Sequence, residues 1–310
     1  MRFPTWKLTI TLTFATAFGL SAVAAQSVQP TFFEPTGTFR NESLRESSGV
    51  AVSRSQPGVL WTHNDSGDKA RIYATNLQGE DLGRFRVRGA DADDWEDIAL
   101  GPCPEDSTGH ACLFIADTGN NDGRRRRGVI YIVAEPIVSI DSSDSEPRTE
   151  RAHELRVTYP DGRRDIEALA VTPNGDILLV TKGSRGRVLL YTIPANKTTE
   201  ESVRITAVDT LPILPARRFG NLVTAAAVSP SGRNLVVRTY TQLYFFELQV
   251  GGDWQLVTRP CWIGLRQPQG EAVDFLDEES VVLTTESALG RRAGLARAAC
   301  PMANDSSTGS

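Results

Sequence analysis

The sequence predicts an all-β protein, and more specifically a β-propeller of five blades. Two observations lead to this prediction. One short motif of small and apolar residues occurs five times, and each copy is followed by further apolar segments between turn-rich links. Long amphipathic helical patterns are absent from the sequence. Four short antiparallel strands repeated at intervals of ~50 residues are typical of propeller blades.

The five copies of the motif predict the innermost strand of each blade. They read SSGVAVS, WEDIALGP, IEALAVTP, VTAAAVSP and GEAVDFLD, and they align at Ser48, Glu96, Glu167, Thr224 and Glu271. Their apolar character fits burial on both faces between neighbouring blades. The long interval of 71 residues between the second and third copies leaves six blades open. A β-sandwich or jelly roll is the competing architecture, although neither predicts five similar units.

The fifth unit lacks an obvious fourth strand, whereas residues 32–40 form a spare strand before the first unit. We therefore expect the N-terminal strand to complete the last blade and close the ring. The four cysteines suggest two disulfides in an exported protein. Three pairings are possible, and we favour Cys103 with Cys112 across a polar loop and Cys261 with Cys300 near the end of the chain.

The two ends of the chain lie outside the predicted propeller, which we place at residues 26–301. Residues 1–25 have a short basic start, an apolar run and small residues at the end, which is typical of a secretory signal peptide. A membrane anchor is the alternative. We expect residues 302–310 to be disordered. The mature protein should therefore be secreted, either extracellular or periplasmic, with no stable membrane span.

The charge balance excludes several classes of partner and reaction. The chain has 33 Lys+Arg against 38 Asp+Glu, so it should have no general attraction for nucleic acid. We interpret the basic run at residues 124–127 as a solvated hairpin tip. The sequence contains no G-x-S-x-G elbow, P-loop or dinucleotide fingerprint. We expect a monomer whose ligand is a small molecule or an extracellular macromolecule.

Acidic and amide side chains gather where each blade should approach the mouth of the central channel. The candidate metal ligands are Glu46, Asn64, Asp65, Asp94, Asp97, Asp117, Asn120, Glu271 and Glu286. Carboxylates that converge repel one another and need a partner. Oxygen ligands without histidine or thiolate favour Ca²⁺, with Mg²⁺ or Mn²⁺ as alternatives. These residues could instead shape turns or pair with arginines.

The stretches DWEDIALGP, LFIADTGNND and DIEALAVTPNGDILLVTKG resemble secreted bacterial β-propellers of the phytase-like and SMP-30/NHL-like type. Propeller phytases bind Ca²⁺ through channel carboxylates and phosphates through lysine and arginine. The resemblance implies acidic blade positions at Glu96, Asp97, Glu167 and Glu271. It also implies phosphate contacts from Arg71, Lys182 and Arg185. SMP-30-like lactonases hold one divalent ion, for which Glu46 or Glu96 with Asn64 and Asp117 are the candidates here.

Two functions follow as hypotheses. In the first, the protein is a metal-dependent hydrolase of a phosphoester or lactone, in which Glu96 or Glu167 takes a proton from water. In the second, it is a non-catalytic extracellular scaffold that binds a protein, peptide or glycan. His63 is a candidate for recognition in either case. A channel whose carboxylates are all paired with arginine would favour the scaffold.

Overall fold

The fold was determined as a computed structural model, which describes residues 27–301 except 66, 105–108, 140–145, 161, 217–219, 268 and 289. The predicted signal peptide and the predicted disordered tail lie outside the described residues. No helix in the described part of the chain is long and apolar enough to cross a membrane. The described helices are short 3₁₀ segments, such as Ala195–Lys197 and Gly264–Arg266.

The chain begins with β1 (Phe32–Thr38) and then forms five consecutive sheets. Blade 1 contains β2 (Ser47–Val52), β3 (Leu60–Asn64), β4 (Arg71–Thr75) and β5 (Gly83–Arg88). Blade 2 contains β6 (Trp95–Pro102), β7 (Ala111–Asp117), β8 (Arg127–Ala134) and, after β9 (Arg148–Arg151), β10 (His153–Thr158). Blade 3 contains β11 (Ile166–Val171), β12 (Ile177–Thr181), β13 (Val188–Ile193) and, after β14 (Ser202–Arg204), β15 (Ala207–Leu211).

Blade 4 contains β16 (Val223–Val228), β17 (Asn234–Thr239), β18 (Gln242–Leu248) and β19 (Trp254–Leu256), and β20 (Cys261–Trp262) pairs with β18. Blade 5 contains β21 (Gly270–Phe275), β22 (Ser280–Thr285) and β23 (Gly294–Ala299). β1 pairs antiparallel with β23 as its outer strand. The all-β, five-bladed propeller predicted from the repeats is therefore confirmed, and so is closure of the ring by the N-terminal strand.

Besides the two-residue β20, two strands were not predicted, and both cover the outer edge of the preceding blade. β9 runs parallel to β5, and β14 runs parallel to β10. β9 overlaps the end of the polar stretch SIDSSDSEPRTE, which lies in the long interval between the second and third copies of the motif. Both strands are short and mostly exposed, so they lack the apolar signal by which the other strands are recognised.

Apolar side chains fill the spaces between neighbouring blades. Between blades 1 and 2, Trp61 and Trp95 are fully buried, as expected for packing residues. The two preferred disulfides, Cys103–Cys112 and Cys261–Cys300, are both formed. The second bridge joins Cys300, the residue that follows β23, to β20 of blade 4. Two disulfides are compatible with an oxidising compartment.

Candidate metal centre at the channel mouth

Each innermost strand has an irregularity in its register with the second strand, at the same place in all five blades. The residues within these irregularities are Ser48, Glu96, Glu167, Thr224 and, in blade 5, Glu271 together with Ala272. Each irregularity therefore contains one of the five residues that the repeat alignment brings together. A β-bulge inserts an extra residue and re-aims its side chain. The alignment therefore identified a repeated structural position at the start of each channel-lining strand.

A second set of side chains follows the last residue of each second strand. Its members are Asp65, Thr118, Lys182, Tyr240 and Glu286. Backbone hydrogen bonds hold several of them beside the bulges. Asp65 N donates to Glu46 O at 3.0 Å, and Lys182 N donates to Asp165 O at 3.1 Å. The channel mouth is thus built from two sets of five positions, one from the bulges and one from the strand ends.

The two bulge residues that are not acidic connect blades. Ser48 Oγ donates to Glu96 O at 2.8 Å, and Thr224 Oγ1 donates to Glu271 O at 2.7 Å. Each hydroxyl therefore fixes the backbone of the acidic bulge in the next blade. The two hydroxyls bond the backbone carbonyl groups of Glu96 and Glu271 and not their carboxylates.

Asp65, Asp94 and Glu96 form an acidic cluster, which we call the carboxylate cluster. One oxygen from each residue lies within 4.8 Å of the other two. Glu96 is buried, and its Oε1 has no hydrogen-bond partner among the described residues. A buried carboxylate oxygen without a partner is costly, because it has lost its water without a replacement.

Gly119 makes the carboxylate cluster possible. A Cβ atom at this position would lie 2.0 Å from Glu96 Oε1 and 2.4 Å from Asp94 Oδ2. Any side chain would therefore displace the two carboxylates. The stretch DTGNND contributes this close approach of backbone to the cluster, which is a different role from the oxygen ligands that the sequence suggested.

Burial and mutual repulsion disfavour full ionisation of the carboxylate cluster. Burial, followed by the negative charge of Asp65, raises the pKa of Asp94 to about 6. Burial, followed by the charge of Glu167, raises the pKa of Glu96 well above its usual range. A cation bound among the three carboxylates would remove this repulsion.

Glu167 and Lys182 form a buried ion pair next to the carboxylate cluster. The distance from Lys182 Nζ to Glu167 Oε1 is 2.8 Å, and the same ammonium donates to Asn121 Oδ1 at 3.0 Å. Burial raises the pKa of Glu167 to about 7, although Lys182 opposes the rise. Burial lowers the pKa of Lys182, but the pair with Glu167 outweighs this and raises it above its usual value.

The far side of the mouth contains Glu271 and Glu286, with two residues that the sequence did not indicate. Burial, and next the charge of Glu286, raises the pKa of Glu271. Tyr240 interacts electrostatically with both Glu271 and Lys182. Arg238 is fully buried and donates to Thr284 O at 3.0 Å and Gln267 Oε1 at 2.8 Å. The only signal for Arg238 is an arginine inside the apolar run NLVVRTY.

Four of the predicted ligands have their oxygens occupied by other protein groups. Asn64 Oδ1 accepts from Arg45 N and Glu46 N, at 2.9 and 3.0 Å. Asn120 Oδ1 accepts from Arg125 N at 2.8 Å. The remaining two are Asp117, which accepts from an arginine side chain and from backbone N–H groups, and Asp97, which accepts from backbone N–H groups.

Asp117 Oδ1 accepts from Arg125 Nη1 at 2.7 Å and from Asp94 N at 3.1 Å. It therefore positions the loop before the carboxylate cluster. Asp97 is fully buried inside the channel and accepts from Ile98 N, Leu169 N and Ala226 N at 2.9, 2.9 and 3.2 Å. Asp117 thus links two loops of blade 2, and Asp97 links the innermost strands of blades 2, 3 and 4.

The predicted substrate-binding residues are widely separated. Lys182 lies in the mouth. Arg71 pairs with Glu146 and Asp68, and Arg185 Nη1 donates to Arg163 O at 2.8 Å on the exposed top of blade 3.

His63 is buried behind the mouth, where its ring packs edge-on against Trp95 with centroids 5.5 Å apart. Its Nδ1 lies 2.9 Å from Asn64 O. Burial lowers the pKa of this imidazole. Glu46, one of the predicted ligands, is exposed at the rim and pairs through its backbone with Glu286.

No protein-family model matches this sequence, and a sequence search of curated proteins finds no match. Among solved structures, the chain is similar to the PQQ-bound form of aldose sugar dehydrogenase from Streptomyces coelicolor. The identity is 12%, the TM-score is 0.52, and the alignment covers 88% of this chain and 98% of that one. At this identity the likeness shows the propeller fold alone.

A candidate glucose dehydrogenase from Thermus thermophilus aligns with 11% identity and a TM-score of 0.46, over 86% of this chain and 99% of that one. Together, fold and site define the class: a five-bladed β-propeller with an acidic channel mouth. The resemblance to phytase-like and SMP-30/NHL-like propellers stays a prediction.

Proposed function

We propose that this chain is a secreted propeller that binds a divalent cation at its channel mouth and acts as a metal-dependent hydrolase of a phosphoester or lactone. The observation that carries the proposal is the carboxylate cluster. Its three oxygens lie within 4.8 Å of one another, and Glu96 Oε1 is buried without a hydrogen-bond partner among the described residues. Asp65, Asp94 and Glu96 are therefore the proposed ligands.

The donor set favours a hard cation. All three proposed ligands offer carboxylate oxygens, and no histidine or cysteine of the described residues belongs to the cluster. Oxygen-only sites suit Ca²⁺, with Mg²⁺ and Mn²⁺ as alternatives. Gly119 supports the fit, because the backbone leaves the space beside Glu96 and Asp94 to their oxygens.

The proposed chemistry assigns different roles to the two glutamates that the sequence indicated as catalytic. A divalent cation held by Asp65, Asp94 and Glu96 would polarise an ester oxygen and make water more acidic. Glu96 is a ligand in this proposal. Glu167 is the proton acceptor, since its pKa of about 7 lets it take a proton near neutral pH. Lys182 orients Glu167 and offers an ammonium to an oxygen of the substrate.

The first experiment is elemental analysis of the purified protein by mass spectrometry, with thermal unfolding with and without EDTA. We expect one or more equivalents of calcium, and a lower melting temperature after its removal. A protein that contains no divalent metal, and that added Ca²⁺, Mg²⁺ and Mn²⁺ do not stabilise, would disprove the proposal.

Activity is then measured with aryl phosphoesters and aliphatic lactones. Glu167→Gln should abolish turnover and keep the metal, whereas Glu96→Gln should abolish turnover and bind the metal roughly 30-fold or more weakly. Glu34→Gln on the exposed strand β1 is the control and should change neither. Metal retention without turnover of either substrate class would support the alternative, a non-catalytic scaffold stabilised by a cation.

A further inference from the structure

Blade 3 shows how the channel mouth holds an ammonium group. On its two inner strands Ile166 pairs with Thr181. Each is followed by a residue of the mouth, Glu167 at the bulge and Lys182 at the strand end. Lys182 Nζ lies 2.8 Å from Glu167 Oε1 and donates to Asn121 Oδ1 at 3.0 Å. The bulge carboxylate of blade 3 therefore has a cationic partner from its own blade.

Blade 5 repeats this arrangement with a carboxylate in the place of the ammonium. Gly270 pairs with Thr285, and the residues that follow are Glu271 at the bulge and Glu286 at the strand end. Glu286 thus occupies the position that Lys182 has in blade 3. Two negative charges lie where blade 3 has one charge of each sign, and their repulsion needs a positive partner.

The Glu271 carboxylate has no protein partner that offsets this repulsion. Glu271 is only 7% exposed, and its carboxylate makes no hydrogen bond or ion pair among the described residues. The buried Arg238 acts on it electrostatically, but the guanidinium donates to neutral oxygens, including Thr284 O and Gln267 Oε1. A buried carboxylate in this state is costly.

Glu286 and Tyr240 complete the surroundings of Glu271, and we call these three residues the far half of the mouth. Glu286 Oε2 accepts one hydrogen bond from a neutral amide, Gln269 Nε2, at 3.3 Å. Tyr240, the strand-end residue of blade 4, interacts electrostatically with Glu271 and Glu286. A protonated amine is attracted both by carboxylates and by the face of an aromatic ring.

The far half of the mouth differs from a metal site in its spacing. Within the part of the chain that the structure describes, only Asp65, Asp94 and Glu96 bring three acidic, histidine or cysteine ligand atoms within 4.8 Å of one another. Glu271 and Glu286 therefore lack a third such ligand at this spacing. An ammonium group carries three N–H donors and is bound well by two carboxylates at ~2.7–2.9 Å.

We infer that the far half of the mouth binds the primary ammonium group of a ligand, with Glu271 and Glu286 as acceptors and the ring of Tyr240 beside it. The ammonium takes the place in blade 5 that Lys182 Nζ has in blade 3. The extension to a substrate rests on the proposed function: the phosphoester or lactone then carries an amino group. The binding itself needs neither the divalent cation nor turnover.

The test is a titration of the full mature protein with ethylammonium and with tetramethylammonium, at constant ionic strength, with EDTA present and at pH ~8, where an alkylamine stays protonated. The NMR shifts of the backbone N–H groups of residues 240 and 286 follow the binding. We expect saturable binding of ethylammonium. Affinity for tetramethylammonium, which has no N–H donor, should be at least ~10-fold weaker.

Three variants locate the binding. Glu271→Gln and Glu286→Gln should each weaken ethylammonium binding by about 10-fold, because each removes a charged acceptor. Glu279→Gln, on the exposed turn at the other end of blade 5, is the control and should change the affinity less than about twofold. Equal losses in all three variants, or no loss in any, would overturn the inference.

Glu286→Lys is the sharpest variant, because it recreates in blade 5 the glutamate–lysine pair of blade 3. It should raise the melting temperature of the metal-free protein and abolish ethylammonium binding, since the new ammonium occupies the site. A lower melting temperature, ethylammonium shifts that never saturate, or equal affinity for tetramethylammonium would contradict the inference.

The carboxylate cluster is the competing location for the ammonium. Binding that is lost in Asp65→Asn and kept in Glu271→Gln would place the ammonium there and overturn the inference. Calcium content, measured in the same samples, keeps failure here distinct from failure of the proposed function. Ethylammonium binding by a protein that holds no divalent metal would support this inference and contradict the proposed function.

Discussion

Glu96 and Asp97 are neighbours in the sequence and both are buried, but their carboxylates differ in the hydrogen bonds that they accept. Asp97 accepts hydrogen bonds from three backbone N–H groups, which come from blades 2, 3 and 4. Glu96 Oε1 has no hydrogen-bond partner among the described residues and lies beside two other carboxylates. Burial raises the pKa of both groups, and only at Asp97 do N–H donors oppose the rise.

The comparison separates a structural carboxylate from a candidate ligand. The bulge turns Glu96 toward the mouth, while Asp97 points into the channel and holds three innermost strands together. Asp97 stabilises the fold because its oxygens are satisfied by protein. Glu96 lacks such donors among its described contacts, and the positive charge of Lys182 only partly opposes the effect of its burial.

The largest expected effect is on stability, from Asp97→Asn. The amide NH₂ of asparagine cannot accept hydrogen bonds. If it takes the place of Asp97 Oδ2, the buried N–H groups of Leu169 and Ala226 lose their acceptor. We expect the free energy of unfolding to fall by about 3 kcal/mol or more, measured by urea denaturation. Asp209→Asn on the exposed part of β15 is the matched control. A loss no greater than that of the control would end the distinction between the two carboxylates.

The next largest effect is a gain in the stability of the metal-free protein from Glu96→Gln, in contrast to the loss from Asp97→Asn. In EDTA, this variant should melt at a higher temperature than the natural protein, because a buried and repelled charge has been removed. Its affinity for Ca²⁺ should fall by roughly 30-fold or more, since one charged ligand is lost. Calorimetric titration and thermal unfolding measure the two quantities, with the exposed Glu150→Gln as control. Lower stability of the metal-free variant would show that protein groups already compensate the buried Glu96 carboxylate.

Asp274 extends the comparison to pH. Its Oδ2 accepts from Val52 N at 2.6 Å and joins blade 5 to blade 1. Burial raises its pKa to about 6, from an ordinary value of 3.8. The folded state therefore binds more protons than the unfolded state between these values, and stability should fall as the pH rises from 4 to 6.

The contribution of Asp274 should be less than ~3 kcal/mol, because this residue is partly exposed and water screens it. Urea denaturation at several pH values measures the slope for the natural protein and for Asp274→Asn. The slope between pH 4 and 6 should be shallower in the variant. Identical slopes would mean that Asp274 titrates alike in both states.

The smallest expected effect concerns Lys182, the cation that the mouth already contains. Lys182→Gln removes a positive charge next to Glu167 and within reach of Glu96. Affinity for Ca²⁺ should then rise by about three- to tenfold, because an ion experiences less repulsion. Calorimetric titration measures this, with the exposed Lys197→Gln as control. Weaker Ca²⁺ binding in Lys182→Gln would instead indicate that Lys182 positions the ligands.

Much of the fold could be predicted because the repeated motif is a local pattern. Small and apolar residues in a row predict a strand buried on both faces, and five copies predict five blades. The same alignment indicated Glu96, Glu167 and Glu271 as equivalent positions. The edge strands β9 and β14 could not be predicted, since polar strands of three or four residues resemble loops.

The sequence by itself therefore predicted five blades, with six left open, and it predicted the strand that closes the ring and the acidic character of the channel mouth. Only the tertiary structure decided which carboxylates are satisfied by protein. The partners of Asp97 include the N–H groups of Leu169 and Ala226, which lie 72 and 129 positions further along the chain. The bulge makes the side chains of Asp97 and Glu96 point to different places, although the two residues are adjacent. The physical reason is that the cost of a buried charge depends on the groups around it in space, which a local pattern of residues does not contain.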